Sequence, residues 1–273
     1  MNIYIFGYTG MLGNYIFKLL SLEYPNIIGI NRKDIDILNI NYEELDIFLN
    51  KKNINENDVI INAIGIIPQS LTKNPEQYFI YYKINSIFPL WLALLSKKYN
   101  FNVIHATTDC VFNGDKGNYI ENDIHTETND YGRSKSLGEN NELTIIRTSI
   151  IGEEIYNKKS LLEWIISNKN NTINGYTNHY WNGITCYQFA KIVKEIIEKK
   201  LYWKGVKHIF SPDIVSKYEL SHLINNIYNL NININEYTCE KKIDKTLNTN
   251  NKIIFDIPNI EKQIIEQYNF LNK

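Results

Sequence analysis

The chain has 273 residues, 44% of them hydrophobic, with a formal net charge of −1 and a pI of about 6.5. That length suits one large domain, or one with a smaller lobe, and the apolar content excludes wholesale disorder. The charge balance offers no basic surplus, so neither nucleic acid nor an anionic membrane is an expected partner.

The three cysteines, Cys110, Cys186 and Cys239, are far apart and odd in number, with neither a disulfide framework nor metal spacing. Reduced thiols, no bound metal and a cytoplasmic location are the expectation. The N-terminus enters a strand pattern at once, which reads as no signal peptide. The longest apolar run, Ile84 to Leu95, is interrupted by Asn85, Ser86 and Pro89 and reads as too short to span a bilayer. Heavy use of Asn, Ile, Lys and Tyr weakens propensity arguments throughout.

Asn2 to Phe6 reads as a strand, followed by Gly7-Tyr8-Thr9-Gly10-Met11-Leu12-Gly13 and an amphipathic run to about Tyr24. Three glycines at a strand-to-helix turn allow a tight turn, close approach of a pyrophosphate, and close packing of helix on strand. Gly7, Thr9, Gly10, Met11, Leu12 and Gly13 are therefore dinucleotide-site candidates. A second strand, Asn26 to Ile30, ends in Asn31-Arg32-Lys33 with no carboxylate at its tip. An acidic residue there would suit the ribose 2′-hydroxyl of NAD, whereas Arg suits the 2′-phosphate of NADP. NADPH is the expected cofactor and NADH the alternative. Asn31, Arg32 and Lys33 are the candidate contacts, and Asp36 is either an adenine-edge or a turn residue.

Tyr42 to Lys52 reads as a helix and Asp58 to Ile61 as a third strand, ending in Asn62-Ala63-Ile64-Gly65. Asn62, Ala63 and Gly65 sit where a cofactor approaches the backbone. Asn74 to Tyr99 reads as largely helical, with Pro75 suited to the first turn and Asn85 placed to bond backbone or water. Phe101 to Ala106, a fourth strand, delivers Thr107, Thr108 and Asp109. Tyr131-Gly-Arg-Ser-Lys135 opens a helical run, and residues four apart share one helix face. A phenol is a poor acid or base at neutral pH unless a neighbouring ammonium lowers its pKa. With a Thr hydroxyl to hold a carbonyl oxygen, this is equipment for reducing a ketone. Leu143 to Arg147 is a fifth strand.

Alternating strands and helices predict an α/β doubly wound parallel sheet, with its site at the strands' carboxyl ends. Residues 1–150 are the expected dinucleotide-binding domain, joined by part of 184–210, and 151–273 mainly a smaller substrate lobe. In that lobe, helices are expected over 158–169, 185–200, 217–228 and 260–268, and a strand over 205–210. Gly175 to Gly183 is dense in aromatic and amide side chains that suit a sugar or base; a packing loop is the alternative. Lys242 to Asn248 is a basic polar segment that could meet a diphosphate.

Taken together, these residues resemble the extended short-chain dehydrogenase/reductases, and within them the dTDP-4-dehydrorhamnose reductase (RmlD-like) family. The resemblance rests on Gly7-x-x-Gly10-x-x-Gly13, Asn62-Ala63, Asn85, Thr107-Thr108-Asp109-Cys-Val-Phe-Asn-Gly114, Tyr131-Gly-Arg-Ser-Lys135, Gly138-Glu139 and Arg147-Thr148-Ser149. It implies a Rossmann-type fold and reduction of the 4-keto group of a nucleotide-linked 6-deoxyhexose. Tyr131 would be the proton donor, Lys135 its partner and a cofactor-ribose ligand, Thr108 the catalytic hydroxyl, and Asn85 a support for proton relay. Thr107, Thr108, Asp109, Val111, Phe112, Asn178, His179 and Trp181 would face the substrate. Asn113 stands where Asp is frequent in the family. The base of the nucleotide, an N-acetyl group on the sugar and the oligomeric state, with a homodimer as one form, stay open. A bifunctional 3,5-epimerase/4-reductase and a non-catalytic nucleotide-binding regulatory subunit are the alternatives.

Overall fold

The computed structural model describes residues 1–70, 77–156 and 158–272; the expected helix start at Asn74 and Pro75 lies outside them. Six parallel strands form the central sheet. They are β1 (Ile3–Phe6), β2 (Ile27–Ile30), β3 (Val59–Asn62), β4 (Asn102–Thr108), β5 (Thr144–Thr148) and β10 (Gly205–His208), in the order β10-β5-β4-β3-β1-β2. β1 and β3 are buried along their whole length, as strands covered on both faces must be. One core layer packs Ile3, Ile5, Ile61 and Ile104 against α1 (Met11–Leu20) and α7 (Cys186–Glu198). The other packs Tyr4, Phe6, Ile60 and Val103 against α2 (Tyr42–Lys51) and α4 (Phe88–Tyr99). The chain leaves β1 to opposite sides for β2 and β3, and that reversal opens a crevice at the carboxyl ends of β1 and β3.

The apolar run is not interrupted as its sequence suggests. α3 (Phe79–Tyr82), a π turn (Lys83–Ile87) and α4 form one helical run of 21 residues, Phe79–Tyr99, long and apolar enough by length and composition to cross a membrane. Pro89 stands directly after the π turn, near the start of α4, and has no N–H to give to the turn before it. Asn85 and Ser86 occupy the π turn, and Phe88, Leu92 and Leu95 pack into the sheet.

Beyond β5 lies a second core, built by α6 (Leu161–Ser167), α8 (Lys217–Tyr228) and α9 (Ile260–Leu271) around Leu162, Trp181, Leu220 and Ile264. Three small sheets accompany it. β6 (Ile150–Ile151) pairs with β9 (Ile184–Thr185), and β7 (Thr172–Tyr176) with β12 (Asn233–Tyr237). β8 (His179–Trp181) lies between β11 (Val215–Ser216) and β13 (Ile243–Asp244). Residues 175–183, for which a packing loop was the alternative to a sugar or base site, are thus mostly strand ends. The three thiols are free.

Candidate active site

The strand-end residues and α5 (Asp130–Leu137) meet over the carboxyl edge of β4. Asn129 caps α5 by accepting from the Gly132 amide at 2.8 Å. Gly132 is required here: a Cβ would lie 2.3 Å from Glu127 Cγ and 2.6 Å from the Cys110 carbonyl oxygen. This contact presses the first turn of α5 onto the turn Asp109–Val111, beside Thr108. The far end is seated equally closely, since a Cβ on Gly138 would lie within bonding distance of the Asn85 carbonyl oxygen.

Strand alternation gives the cleft one hydroxyl of the Thr107–Thr108 pair rather than two. Thr108 is half-buried at the strand end, accepts from the Cys110 amide and donates to Asp109 Oδ1, both at 3.1 Å. Thr107 is buried on the other face, and its hydroxyl has no partner among the described residues. His105 lies on that face too, fully buried, with Nδ1 accepting from Asn62 Nδ2 at 3.1 Å. Burial, then the nearby Lys135 charge, hold His105 well below its ordinary pKa, so it stays neutral.

Lys135 is buried and donates to the Ala106 carbonyl at 2.9 Å. Burial draws its pKa down to about 8. The expectation that Lys135 lowers the Tyr131 pKa is corrected here. Burial, followed by the neighbouring Cys110, pushes the phenol above its ordinary value; the Thr108 hydroxyl works in the opposite direction. The ammonium is turned to the Ala106 carbonyl, and burial is the largest influence on the phenol.

Asn85 occupies the π turn, a distortion frequent at functional sites. Its carboxamide accepts from the Ile66 amide (3.0 Å) and donates to the Ile66 carbonyl and Ser134 Oγ (both 3.1 Å). Ser134 in turn donates to the Tyr131 carbonyl at 2.8 Å. Asn85 therefore ties the segment after β3 to the helix carrying Tyr131. A Cβ on Gly65 would stand 3.7 Å from Asn85 Oδ1 and 3.9 Å from Lys135 Nζ, so Gly65 borders the same space.

The glycine turn fits a bound phosphate. Gly7 has φ +80°, and its carbonyl accepts from the Gly10 amide at 2.9 Å. A Cβ on Gly13 would stand 2.2 Å from the Gly7 carbonyl oxygen, so only glycine lets α1 pack this closely. The N-terminus of α1, at Gly10, has no side-chain cap, whereas α2, α5, α6, α7, α8 and α9 are each capped by an Asn, Ser or Thr side chain. Thr9 lies in the turn and Met11 and Leu12 open α1, whose free first amides suit an anion. At the tip of β2, Arg32 is 73% exposed and 3.7 Å from Asp36. Asp36 also accepts from the Leu38 amide and Asn39, the bonds of a turn residue. Asn31 bonds Tyr8 and the Lys33 amide. Ala63 is tied to β1 through the Phe6 carbonyl.

The substrate-facing expectations fare unevenly. Val111 and Phe112 are fully buried, and Phe112 stacks on Tyr119 with ring centres 4.1 Å apart, so they support the loop from beneath. Asn178 has its carboxamide engaged by the Cys239 backbone (2.7 and 3.1 Å) and serves as a clamp. Asn182 does the same for Leu247. Trp181 is buried in the second core, with the Lys217 ammonium 5.2 Å from its ring centre. His179 is half-buried and packs on Tyr176 at 4.6 Å. Asp109 is buried next to Thr108.

A family model for the RmlD substrate binding domain matches residues 1–246. The chain belongs to the RmlD family. A dTDP-4-dehydrorhamnose reductase of Aggregatibacter actinomycetemcomitans is 28% identical over 239 residues, 81% of this chain and 76% of the relative. Among solved structures, a dTDP-4-dehydrorhamnose reductase of Clostridium acetobutylicum has a TM-score of 0.81 at 24% identity, with all of both chains covered. One from Bacillus anthracis, in complex with NADP, has a TM-score of 0.80 at 20% identity over 98% of each chain. These likenesses show the Rossmann-like fold.

In this RmlD-family chain, Asn113 organises its loop, bonding Asp115, Tyr119 and Thr126. Two participants, Ser134 and Lys217, gave no sequence signal, and a third, Lys245, lies in the basic segment already marked for a diphosphate. Ser134 is an ordinary helix residue until Asn85 reaches it. Lys217 reads as a solvated charge at a helix start. Lys245, inside the basic segment, pairs with Glu127 at 3.2 Å.

Proposed function

We propose that this chain is a cytoplasmic NADPH-dependent reductase of the 4-keto group of a dTDP- or UDP-linked 6-deoxyhexose. The observation that best supports this is the gathering of Thr108, Tyr131, Lys135, Asn85 and Gly65 at the strand edge that also carries the uncapped N-terminus of α1. The family match and the named reductases among its relatives support the substrate class.

NADPH bound on the glycine turn supplies a hydride. Gly7, Gly10 and Gly13 with the α1 amides would hold its diphosphate, and Arg32 and Lys33 would hold its 2′-phosphate. Thr108 and Tyr131 hydrogen-bond the ketone oxygen and orient it. As that oxygen becomes an alkoxide, Tyr131 gives it a proton. The raised pKa keeps the phenol protonated through the neutral range, the state that a donor needs. Lys135 would hold the cofactor ribose. Asn85, through Ser134, fixes the turn of α5 on which Tyr131 rides. A homodimer belongs to the same proposal, with exposed Ile87, Leu90 and Leu94 as an apolar face and light scattering as its test.

The deciding experiment follows NADPH oxidation with dTDP- and UDP-4-keto-6-deoxyglucose, each with and without a separate 3,5-epimerase. Turnover that depends on the epimerase is expected; turnover without it assigns epimerisation or direct reduction to this chain, separated by product configuration. Tyr131→Phe should lower kcat by a factor of 10² or more, in the range of lost general-acid catalysis, with NADPH binding intact. Unchanged turnover would refute the proton-donor role.

A further inference from the structure

The small sheet of the second core aims two lysines at the cleft. β11 runs antiparallel to β8, with Ser216 opposite Tyr180, and β13 runs parallel on its other side, with Asp244 opposite Tyr180. Lys217 and Lys245 each follow immediately after those strand ends. Both ammonium groups act electrostatically on Asp109 and Cys110, the two residues after Thr108. Lys245 is paired with Glu127.

Lys217 is not paired in that way. Among the described residues its ammonium has neither a hydrogen bond nor a salt bridge, and its side chain is half-buried over the Trp181 ring. Asp109, whose field it feels, already takes a hydrogen bond from Thr108 at 3.1 Å. Burial draws the Lys217 pKa down to about 8 against that carboxylate's pull. The N-terminus of α8 does not offer itself to an anion in its place, because Ser216 and Glu219 close a capping box there. A half-buried cation in a cleft, with no acceptor for its hydrogens among the described residues, marks a ligand position. Contact with Trp181 restrains the side chain, so little freedom remains to be lost on binding.

We propose that Lys217 is a substrate-binding residue that donates to the diphosphate oxygens of the sugar nucleotide. This rests on the nucleotide-sugar reading above, in which the diphosphate is the substrate's negative charge. An ammonium is a compact point charge with three donors, suited to a phosphoryl group whose orientation varies as the sugar is positioned. Lys217 thereby makes a nucleotide-linked sugar a better substrate than a free one.

The test is calorimetric titration of the NADPH-loaded protein with dTDP, UDP, thymidine and uridine. Lys217→Met should weaken the preferred nucleoside diphosphate at least tenfold and leave its nucleoside within twofold; Lys217→Arg should recover most of the loss. In turnover, Lys217→Met should raise KM by a similar factor and change kcat less than threefold. Equal diphosphate affinity in wild type and Lys217→Met, with wild-type turnover intact, overturns the assignment of Lys217 alone. A wild-type protein that binds neither diphosphate and turns over neither sugar nucleotide overturns the substrate reading and this inference together.

Discussion

Glu139→Gln is the sharpest probe of what seats α5. Arg147 rises from β5 with its side chain 2% exposed and makes a two-armed ion pair with Glu139, just past Gly138 at the end of α5. Its remaining N–H groups donate to Nε2 of His125 and of His208, each at 2.8 Å, and to the Glu121 carbonyl at 3.4 Å, and the guanidinium lies 5.3 Å from the Phe112 ring centre. The substitution keeps the shape of Glu139 and removes its charge, leaving the guanidinium buried without a counter-ion. Breaking a buried pair from one side costs about 3–5 kcal/mol, a large part of the roughly 5–15 kcal/mol that holds a typical protein folded. At roughly 2–4 °C per kcal/mol, the melting temperature should fall by about 6–20 °C. Urea unfolding followed by tryptophan fluorescence and circular dichroism reads the loss directly. Lys204→Ala is the matched control: it breaks the Lys204–Glu142 pair, whose side chains are 75% and 45% exposed, and should leave stability close to wild type. The double variant Glu139→Gln/Arg147→Met removes both charges and should recover most of the loss. Equal losses in Glu139→Gln and Lys204→Ala, or a double variant worse than the single, would refute this account of the pair.

The same network sets a pH dependence. His125 and His208 both accept from Arg147 and so must be neutral; burial, then the Arg147 charge, hold His208 at about 4, and burial likewise lowers His125. The unfolded chain therefore binds more protons between about pH 6.5 and pH 4, and stability falls as pH drops through that window. His208→Asn should flatten the fall by up to about 1.4 kcal/mol per pH unit; a slope identical to wild type removes His208 from the explanation. Gly132→Ala drives a methyl into Glu127 and the Cys110 carbonyl. It should cost about 1–3 kcal/mol of stability and lower turnover more than tenfold; full activity would show that α5 tolerates a shifted seat. Arg32→Ala should weaken NADPH far more than NADH, and equal losses measured by fluorescence titration would withdraw Arg32 from the 2′-phosphate.

The first half of the fold was legible because its signals are local. Buried parallel strands are continuous apolar runs, the glycine turn joins the first strand to the first helix, and Tyr131 and Lys135 share one helix face. The second lobe hid its organisation in pairings across distance. β7 alternates exposed and buried residues but is rich in Asn and Gly, and its partner β12 lies about 60 residues on. Asn178 and Asn182 looked like amides free for sugar hydroxyls; each is engaged by a backbone segment more than 60 residues away. Trp181 looked like a stacking platform because composition cannot report burial. The mutual influence of Tyr131 and Lys135 was judged from spacing alone, and spacing says nothing of the Ala106 carbonyl that takes the ammonium.

The π turn Lys83–Ile87 makes the helical run a phase shifter. A π turn holds one residue more than the α turn it replaces, and each residue of an α-helix is worth about 100° of rotation. Straightening the run with all its residues kept would therefore rotate α3 by about that angle, because α4 is held by the sheet. Tyr81, whose ring centre stands 6.2 Å from that of Tyr131, would then swing off the active-site face. Removing one residue together with the π turn would leave the ring where it is, so the wall beside the proton donor is set by the bulge while the sheet beneath stays in place.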